Sequence, residues 1–194
     1  MNKKLLSFTA ITSAIVLALV ACNNQSTTEP AVAVISKDSL IKRGEYLVAT
    51  TGCDDCHSPK KMGPRGPELD LEHRFAGYLS TTVLGKADSS VMKNGWVLFS
   101  HDLTAAVGPW GISYAANITS DATGIGSWTE AQFIKCLREG KQKGMDEARP
   151  LLPPMPWQNF AKMSDTDLKA IFAYLKTTKP VNNVVPGPKP LNEL

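Results

Sequence analysis

The sequence predicts an all-α domain that carries a long, loop-rich insertion. Three stretches, near residues 38–50, 129–139 and 164–175, place apolar residues at helical spacing. No stretch shows the convincing alternation of apolar and polar residues that marks a half-buried strand, and there is no internal repeat. The 194 residues, 43% hydrophobic and 20% charged, suffice for one domain or two small ones. This balance excludes intrinsic disorder, a coiled coil and a multi-span membrane protein.

The first predicted helix runs from Asp38 to Thr50. Its apolar residues, with one glycine among them, form a single stripe: Leu40, Ile41, Gly44, Leu47 and Val48. Gly52 follows at a position where the left-handed end of a helix favours glycine. The helix therefore leads the chain directly into a group of cysteines and a histidine.

The second and third predicted helices have clear start signals. Thr129 and Gln132 form a capping box for the second helix, and Gly140 closes it. Its apolar stripe consists of Phe133, Ile134 and Leu137. Ser164 is a good N-cap for the third helix, whose first turn is acidic. The stripe of this last helix consists of Leu168, Ile171, Phe172 and Leu175.

Cys53-Asp54-Asp55-Cys56-His57 is a C-x-x-C-H sequence, the attachment signature of c-type haem. Two thiols three positions apart can form thioether bonds with the two vinyl groups of one porphyrin, and the next residue then directs its imidazole toward the iron. A thioredoxin-like dithiol would follow a strand, whereas a helix is predicted here. A zinc site would need a second ligand pair, which Cys136, His73 and His101 do not make. We expect one covalent haem c on Cys53, Cys56 and His57.

Met155 is the best candidate for the second axial ligand of the iron. It lies in Pro153-Pro154-Met155-Pro156-Trp157, where the prolines fix φ and stiffen the loop. A His/Met pair raises the reduction potential of haem. Met163 is the second candidate, although its position before a helix also suits hydrophobic packing. His73, His101 or an open position are further alternatives. The remaining candidates lack comparable surroundings: Met62, Met92 and Met145.

The first 21 residues have the pattern of a secretory signal peptide. A basic start precedes an apolar run that is too short to span a bilayer. The run ends in Leu19-Val20-Ala21-Cys22, which resembles the lipobox of bacterial lipoproteins, and this resemblance implies cleavage before Cys22 and its acylation. An ordinary signal peptide with a chance cysteine is the alternative. We expect residues 22–36 to form a flexible tether. The predicted location is outside the cytoplasm, anchored by lipid to a bacterial membrane and therefore periplasmic or outer-membrane associated.

Taken together, these motifs resemble the class I c-type cytochromes. The shared order is a helix, CDDCH, a long middle, Met-Pro and a final helix with the sequence DLKAIFAYLK. The resemblance implies that the first and last helices cross, with Gly44 against Tyr174, and that Met155 is the axial methionine. The stretch PPMPWQNFAKMSD is similar to bacterial cytochromes that serve as partners or subunits of periplasmic dehydrogenases. The implied fold is therefore a class I cytochrome c fold around one haem.

The resemblance also divides the chain. Residues 37–182 are the expected cytochrome c domain, with an insertion at about 68–127, and residues 183–194 the expected extended C-terminal tail. Within the insertion, NITSDATGIGSW at 117–128 is similar to a segment of the same dehydrogenase-linked cytochromes. We interpret it as a structured loop that covers one haem edge, with Trp128 near the porphyrin. A substrate-binding role is the alternative, and Asp121 alone is a poor carboxylate supply for calcium.

The sequence favours electron transfer over enzymatic chemistry. An iron bound by His57 and Met155 has no vacant position, so we expect an electron carrier, or the cytochrome subunit of a dehydrogenase complex, with no small-molecule substrate. Its expected partners are a dehydrogenase, a terminal oxidase or another cytochrome, together with the membrane through Cys22. The net charge of +3 is too small to indicate nucleic acid. The alternative is a haem enzyme or ligand-binding sensor with an open or displaceable sixth position.

Three finer expectations concern individual side chains. His57 should donate its second ring N–H to a backbone carbonyl, for which the loop containing Gly63, Pro64 and Gly66 is suitable. The basic residues of the same region are candidates for a docking face: Lys60, Lys61 and Arg65. Cys136 is expected to be a small buried hydrophobe, and no disulfide is expected.

Overall fold

The computed structural model describes residues 36–88 and 90–193. The predicted signal peptide, Cys22 and all of the predicted tether except Ser36 lie outside the described residues. Among the residues that are described, no helix is long and apolar enough to cross a membrane.

All three predicted long helices are confirmed. Helix α1 is Lys37–Thr50, helix α4 is Glu130–Glu139 and helix α6 is Asp165–Leu175. At the N-cap of each helix, a side-chain hydroxyl accepts a hydrogen bond of 3.1–3.2 Å from the backbone N–H three residues later. The three N-cap residues are Ser36, Thr129 and Ser164. Helix α4 ends at Gly140, whose φ is 63°. Thr129, Gly140 and Ser164 therefore act as the predicted caps, and the Ser36 cap was not predicted. The predicted capping box forms only in part, because the Gln132 side chain donates to the carbonyl of Lys143 at 2.9 Å.

Helices α1 and α6 pack closely because Gly44 has no side chain. A Cβ on Gly44 would overlap the Ala170 carbonyl and come within 2.7 Å of Cβ of Tyr174. Gly44 thus lies against Tyr174, as predicted. Around this contact the two helices bury one apolar cluster: Leu47, Val48, Leu168, Ala170, Ile171 and Leu175.

In the described residues, three short helices and two 3-10 turns lie between the long helices, and a third 3-10 turn follows the last one. Helix α2, Cys53–His57, begins directly after Gly52, whose φ is 73°. Helix α3 is Ser90–Lys93 and helix α5 is Trp157–Phe160. The 3-10 turns are Leu71–His73, Gln142–Gly144 and Leu191–Glu193. The Pro153–Pro154 peptide, just before α5, is cis.

The prediction of an all-α fold is wrong, because two small antiparallel sheets accompany the helices. Strands β1, Lys60–Gly63, and β2, Gly66–Leu69, form a hairpin with Lys60 opposite Leu69. Strands β3, Leu98–Phe99, β4, Ala105–Gly108, and β5, Gly111–Tyr114, form the second sheet. Its strand order is β3-β4-β5.

These strands escape a search for alternating residues for two physical reasons. They have only two to four residues each, so alternation has little length in which to appear. Strand β4 is in addition buried along its whole length, which removes the polar positions that alternation requires. The fold is therefore mixed α and β, and the second sheet lies entirely within the predicted insertion.

The chain after helix α6 is held against this second sheet and the loops beside it. Lys189 and Ile112 exchange two backbone hydrogen bonds of 2.8 and 3.2 Å. The side chain of Asn183 is buried and bridges loops that are more than 100 residues earlier in the chain. Residues 181–190 therefore hold the insertion in place through these hydrogen bonds.

Candidate haem-binding site

Helix α2 presents the two predicted haem-attachment thiols. Cys53 and Cys56 are half-buried free thiols, three positions apart on this single helix. Residues three apart on a helix share a face, so both sulfurs are available to one group. Burial raises the pKa of both thiols, and the nearby Lys60 ammonium opposes this rise at Cys56.

His57, at the end of helix α2, is oriented by a backbone carbonyl. Its Nδ1 lies 2.7 Å from the carbonyl oxygen of Ala116. Because a carbonyl only accepts, Nδ1 carries the hydrogen and Nε2 keeps a lone pair for a metal. Burial lowers the pKa of His57, which favours the neutral ring, although the hydrogen bond to Ala116 opposes this shift. The predicted kind of acceptor is confirmed, but the suggested loop at Gly63, Pro64 and Gly66 is wrong.

The Ala116 carbonyl is held in place by a ladder of backbone hydrogen bonds. Gly77 N–H donates to the His57 carbonyl at 2.8 Å, and Tyr78 N–H donates to Ala115 at 3.0 Å. Gly77 has φ of 71°, and a Cβ there would overlap the backbone of Ala115 and Ala116. A glycine is therefore required at position 77 for this loop to pack closely against Ala115 and Ala116, whose carbonyl orients His57.

Two buried asparagines lock the same region. Asn117 donates to the carbonyls of Val181 and Asn183, at 2.9 and 3.2 Å, and its own oxygen accepts from Thr119. Asn183 donates to the carbonyls of Ala76 and Tyr78, at 2.8 and 2.9 Å. Buried amides with every polar atom satisfied specify one arrangement of the chain. The segment that orients His57 is thus fixed from the C-terminal side.

Asp54, inside the motif, ties helix α2 to the following loop. Its carboxylate accepts two hydrogen bonds from Arg74, at 2.9 and 2.7 Å, and one from Ser58 at 2.7 Å. Burial opposes ionisation of Asp54, but these donors hold its pKa below the ordinary value. The same carboxylate raises the pKa of Arg74, so the pair remains ionised.

Lys60, predicted for a docking face, instead turns toward the motif. Its ammonium donates to the carbonyls of Asp54 at 3.1 Å and Asp102 at 3.0 Å, and it also donates to the carbonyl of Asp55. Burial lowers the pKa of Lys60, and the surrounding acidic groups oppose that shift. Lys60 therefore links the end of helix α2 to the turn between β3 and β4.

Met155 lies half-buried in its proline-rich loop and packs against the main apolar cluster. The loop is tied to strand β5, because Ser113 Oγ donates to the carbonyl of Pro153 at 2.7 Å. The backbone N–H of Trp157 donates to the carbonyl of Met155 at 2.9 Å. The Trp157 ring covers Gly140, where a Cβ would overlap the indole. The loop is thus held in one conformation by both of its neighbours.

The other candidates for the second axial ligand differ from Met155 in their surroundings. Met163 packs against the apolar cluster that contains Leu168. His73 Nδ1 lies 2.7 Å from the Asp70 carboxylate. His101 is exposed, as are Met62 and Met145, and Met92 is half-buried. These positions do not share the ties that hold His57 and Met155 to the insertion.

Three further residues named from the sequence, Asp121, Trp128 and Cys136, have defined surroundings. Asp121 accepts from the N–H and hydroxyl of Thr123, at 2.8 and 2.6 Å. In residues 36–88 and 90–193, no group of three or more His, Cys, Asp and Glu side chains could hold a metal ion. Trp128 is half-buried against the main cluster, and Cys136 is buried as predicted.

Sequence reasoning missed the groups that orient the motif. Ala116 acts through its backbone carbonyl, which has no signature in a side-chain pattern. Asn183 lies beyond the last helix, where the sequence suggested only a tail. Ser113 lies in a strand that was not predicted. The repeated Gly-Pro-x-Gly at 63–66 and 108–111 was the available signal for both hairpins, since proline and glycine favour these turn positions.

The donor set fits a covalently attached haem. It combines two free thiols on one helix with an adjacent neutral imidazole whose Nε2 can bind iron. Cys53 packs against the main apolar cluster, and further partly buried apolar side chains next to that cluster can exclude water from the site: Ile118, Trp128, Ile134 and Met155.

Comparison with known proteins agrees with this chemistry. The family model of cytochrome c matches residues 41–179. The chain is 34% identical over 140 residues to the gluconate 2-dehydrogenase cytochrome c subunit of Pantoea cypripedii, covering 72% of this chain and 23% of the relative. It is 31% identical over 186 residues to the fructose dehydrogenase cytochrome subunit of Gluconobacter japonicus, covering 95% of this chain and 30% of the relative.

A third relative has the same character. The cytochrome c subunit of alcohol dehydrogenase (quinone) from Gluconobacter oxydans strain 621H is 29% identical over 146 residues, which cover 74% of this chain and 23% of the relative. Each of these matches spans less than a third of the relative's own length. The chain belongs to the cytochrome c family, as a class I c-type cytochrome that binds haem c covalently and is similar to the cytochrome subunits of dehydrogenases.

Proposed function

We propose that the protein carries single electrons between redox proteins outside the cytoplasm. In this proposal one haem is attached to Cys53 and Cys56, and its iron is bound by His57 and Met155. The haem, when bound, takes up and releases one electron. The protein is not itself an enzyme but serves as a partner or subunit of one. The observation that carries the proposal is the 2.7 Å contact between His57 Nδ1 and the carbonyl oxygen of Ala116. His57 shares helix α2 with the two free thiols of Cys53 and Cys56.

A single segment supports both proposed iron ligands. Ser113 in strand β5 donates to the carbonyl of Pro153, and Ala116, three residues later, accepts from His57. The loop of Met155 and the imidazole of His57 therefore share one rigid support. A support that is preorganised limits rearrangement when the charge of a site changes. This property suits electron transfer better than the binding of exchangeable ligands.

The relatives indicate the class of partner. Proteins named as cytochrome subunits of gluconate, fructose and alcohol dehydrogenases resemble this chain over most of its length. We propose a dehydrogenase as the electron donor, and a terminal oxidase or another cytochrome as the acceptor. Lipidated Cys22 would anchor the protein to a bacterial membrane, on the periplasmic side or in association with the outer membrane. The tether 22–36 would give the domain 37–182 freedom to reach its partners.

The mass of the mature protein tests haem attachment and its stoichiometry. We expect a protein produced with c-type maturation to carry one haem that survives denaturation. Cys53→Ala with Cys56→Ala should abolish covalent attachment, since both thioether donors are lost.

Cys136→Ala is the matched control and should retain the haem, because that buried thiol lies on helix α4. A wild-type mass without haem, with the Cys53 and Cys56 thiols still open to alkylation in a matured sample, would contradict the proposal.

A further inference from the structure

Lys60 carries an ammonium whose three donors meet three neutral acceptors. Two of them, the carbonyls of Asp54 and Asp55, belong to helix α2, and the third is the carbonyl of Asp102 in the insertion. An ammonium has three N–H donors, so this arrangement uses all of them. The Asp55 carbonyl belongs to the peptide group that leads into Cys56. The charge is therefore held beside the haem motif.

Three carboxylates surround this end of helix α2. Asp54 is paired with Arg74, and the Asp55 side chain is exposed. The buried Asp102 carboxylate accepts from the hydroxyls of Ser100 and Thr104, at 2.7 and 2.9 Å, which are neutral donors. Within the described residues, two cations donate hydrogen bonds to Asp54: Arg74 to its carboxylate and Lys60 to its backbone carbonyl. Because Arg74 already neutralises the Asp54 carboxylate, the charge of Lys60 offsets the carboxylates of Asp55 and Asp102.

We propose that Lys60 is a positioning residue that also raises the reduction potential of the haem, by fixing helix α2 to the Asp102 turn and by holding a positive charge beside Cys56. Reduction adds one electron and no proton at the iron, so a fixed positive charge nearby stabilises the reduced state relative to the oxidised one. Without Lys60, the remaining carboxylates favour the oxidised state. This inference rests on the proposed one-electron function.

Redox titration of Lys60 variants tests the inference. Lys60→Gln keeps two N–H donors but no charge, Lys60→Met keeps neither, and Lys60→Arg keeps both charge and donors. We expect the Gln and Met variants to have lower potentials, by about three- to tenfold in the equilibrium constant with a reference couple, where a tenfold change is about 59 mV for one electron. Lys60→Arg should stay within about twofold of wild type. If Lys60→Met does not fold, Lys60→Gln carries the test.

The controls separate charge, position and haem loss. Each variant is first shown by mass to carry its haem, so failure of the proposed function is recognised before any potential is measured. Lys42→Met, which removes one charge from the exposed side of helix α1, should leave the potential unchanged. Urea unfolding should show a stability loss that is larger for Lys60→Met than for Lys60→Gln. Unchanged potentials in both neutral variants, or an equal shift in Lys42→Met, would overturn the inference.

Discussion

Replacing Gly44 with alanine should destabilise the protein by about 2–3 kcal/mol, and replacement with valine should cost about 3 kcal/mol or more. The added Cβ would overlap the Ala170 carbonyl and press on Tyr174, both in helix α6. Since the first obstacle is backbone, the helices must separate to admit the methyl group. Urea unfolding of the haem-loaded protein, followed by circular dichroism, measures the effect.

Helix propensity alone predicts the opposite sign for Gly44→Ala. In the interior of a helix, alanine is favoured over glycine by about 1 kcal/mol. Gly187→Ala provides the matched control, because a Cβ at Gly187 meets no atom within 4 Å. That variant should stay within about 0.5 kcal/mol of wild type. A neutral or stabilised Gly44→Ala protein would show that helices α1 and α6 do not pack as described.

Substitution of Met155 by alanine should abolish the far-red charge-transfer band of the oxidised protein, which requires a methionine sulfur on ferric iron. The potential should also fall, because a thioether ligand favours the reduced state. The band is measured by optical absorption of the oxidised protein near neutral pH. Met155 is the proposed ligand because its loop is held by Ser113 and by Trp157, both through backbone carbonyls.

Met163→Ala is the control for this prediction. Met163 is also half-buried against the apolar cluster, but it directly precedes the Ser164 cap of helix α6. Its loss should reduce stability and leave the far-red band in place. A band that persists in Met155→Ala and disappears in Met163→Ala would transfer the ligand role to Met163.

The helices and the haem motif could be predicted from sequence because their signals are local. Thr129 and Ser164 cap helices within three residues, and Cys53 to His57 form one uninterrupted motif. The contact of Gly44 with Tyr174 was also predictable, but only through resemblance to a family.

The orientation of the motif could not be predicted because it depends on distant backbone groups. His57 and its acceptor Ala116 are separated by 59 positions, and Asn183 acts on loops 105 and 107 positions away. Strands of two to four residues gave no pattern that would bring these segments together. The insertion was recognised by its length, whereas its role as the support for His57 required the structure.

The addition of carbon monoxide to the reduced wild-type protein tests the central claim most directly. If Met155 occupies the sixth position of the iron, the optical spectrum at neutral pH should remain unchanged when carbon monoxide is added. Met155→Ala should bind the gas readily and provides the positive control. Rapid binding to the wild-type protein would contradict the proposed electron carrier and support a haem enzyme or a ligand-binding sensor.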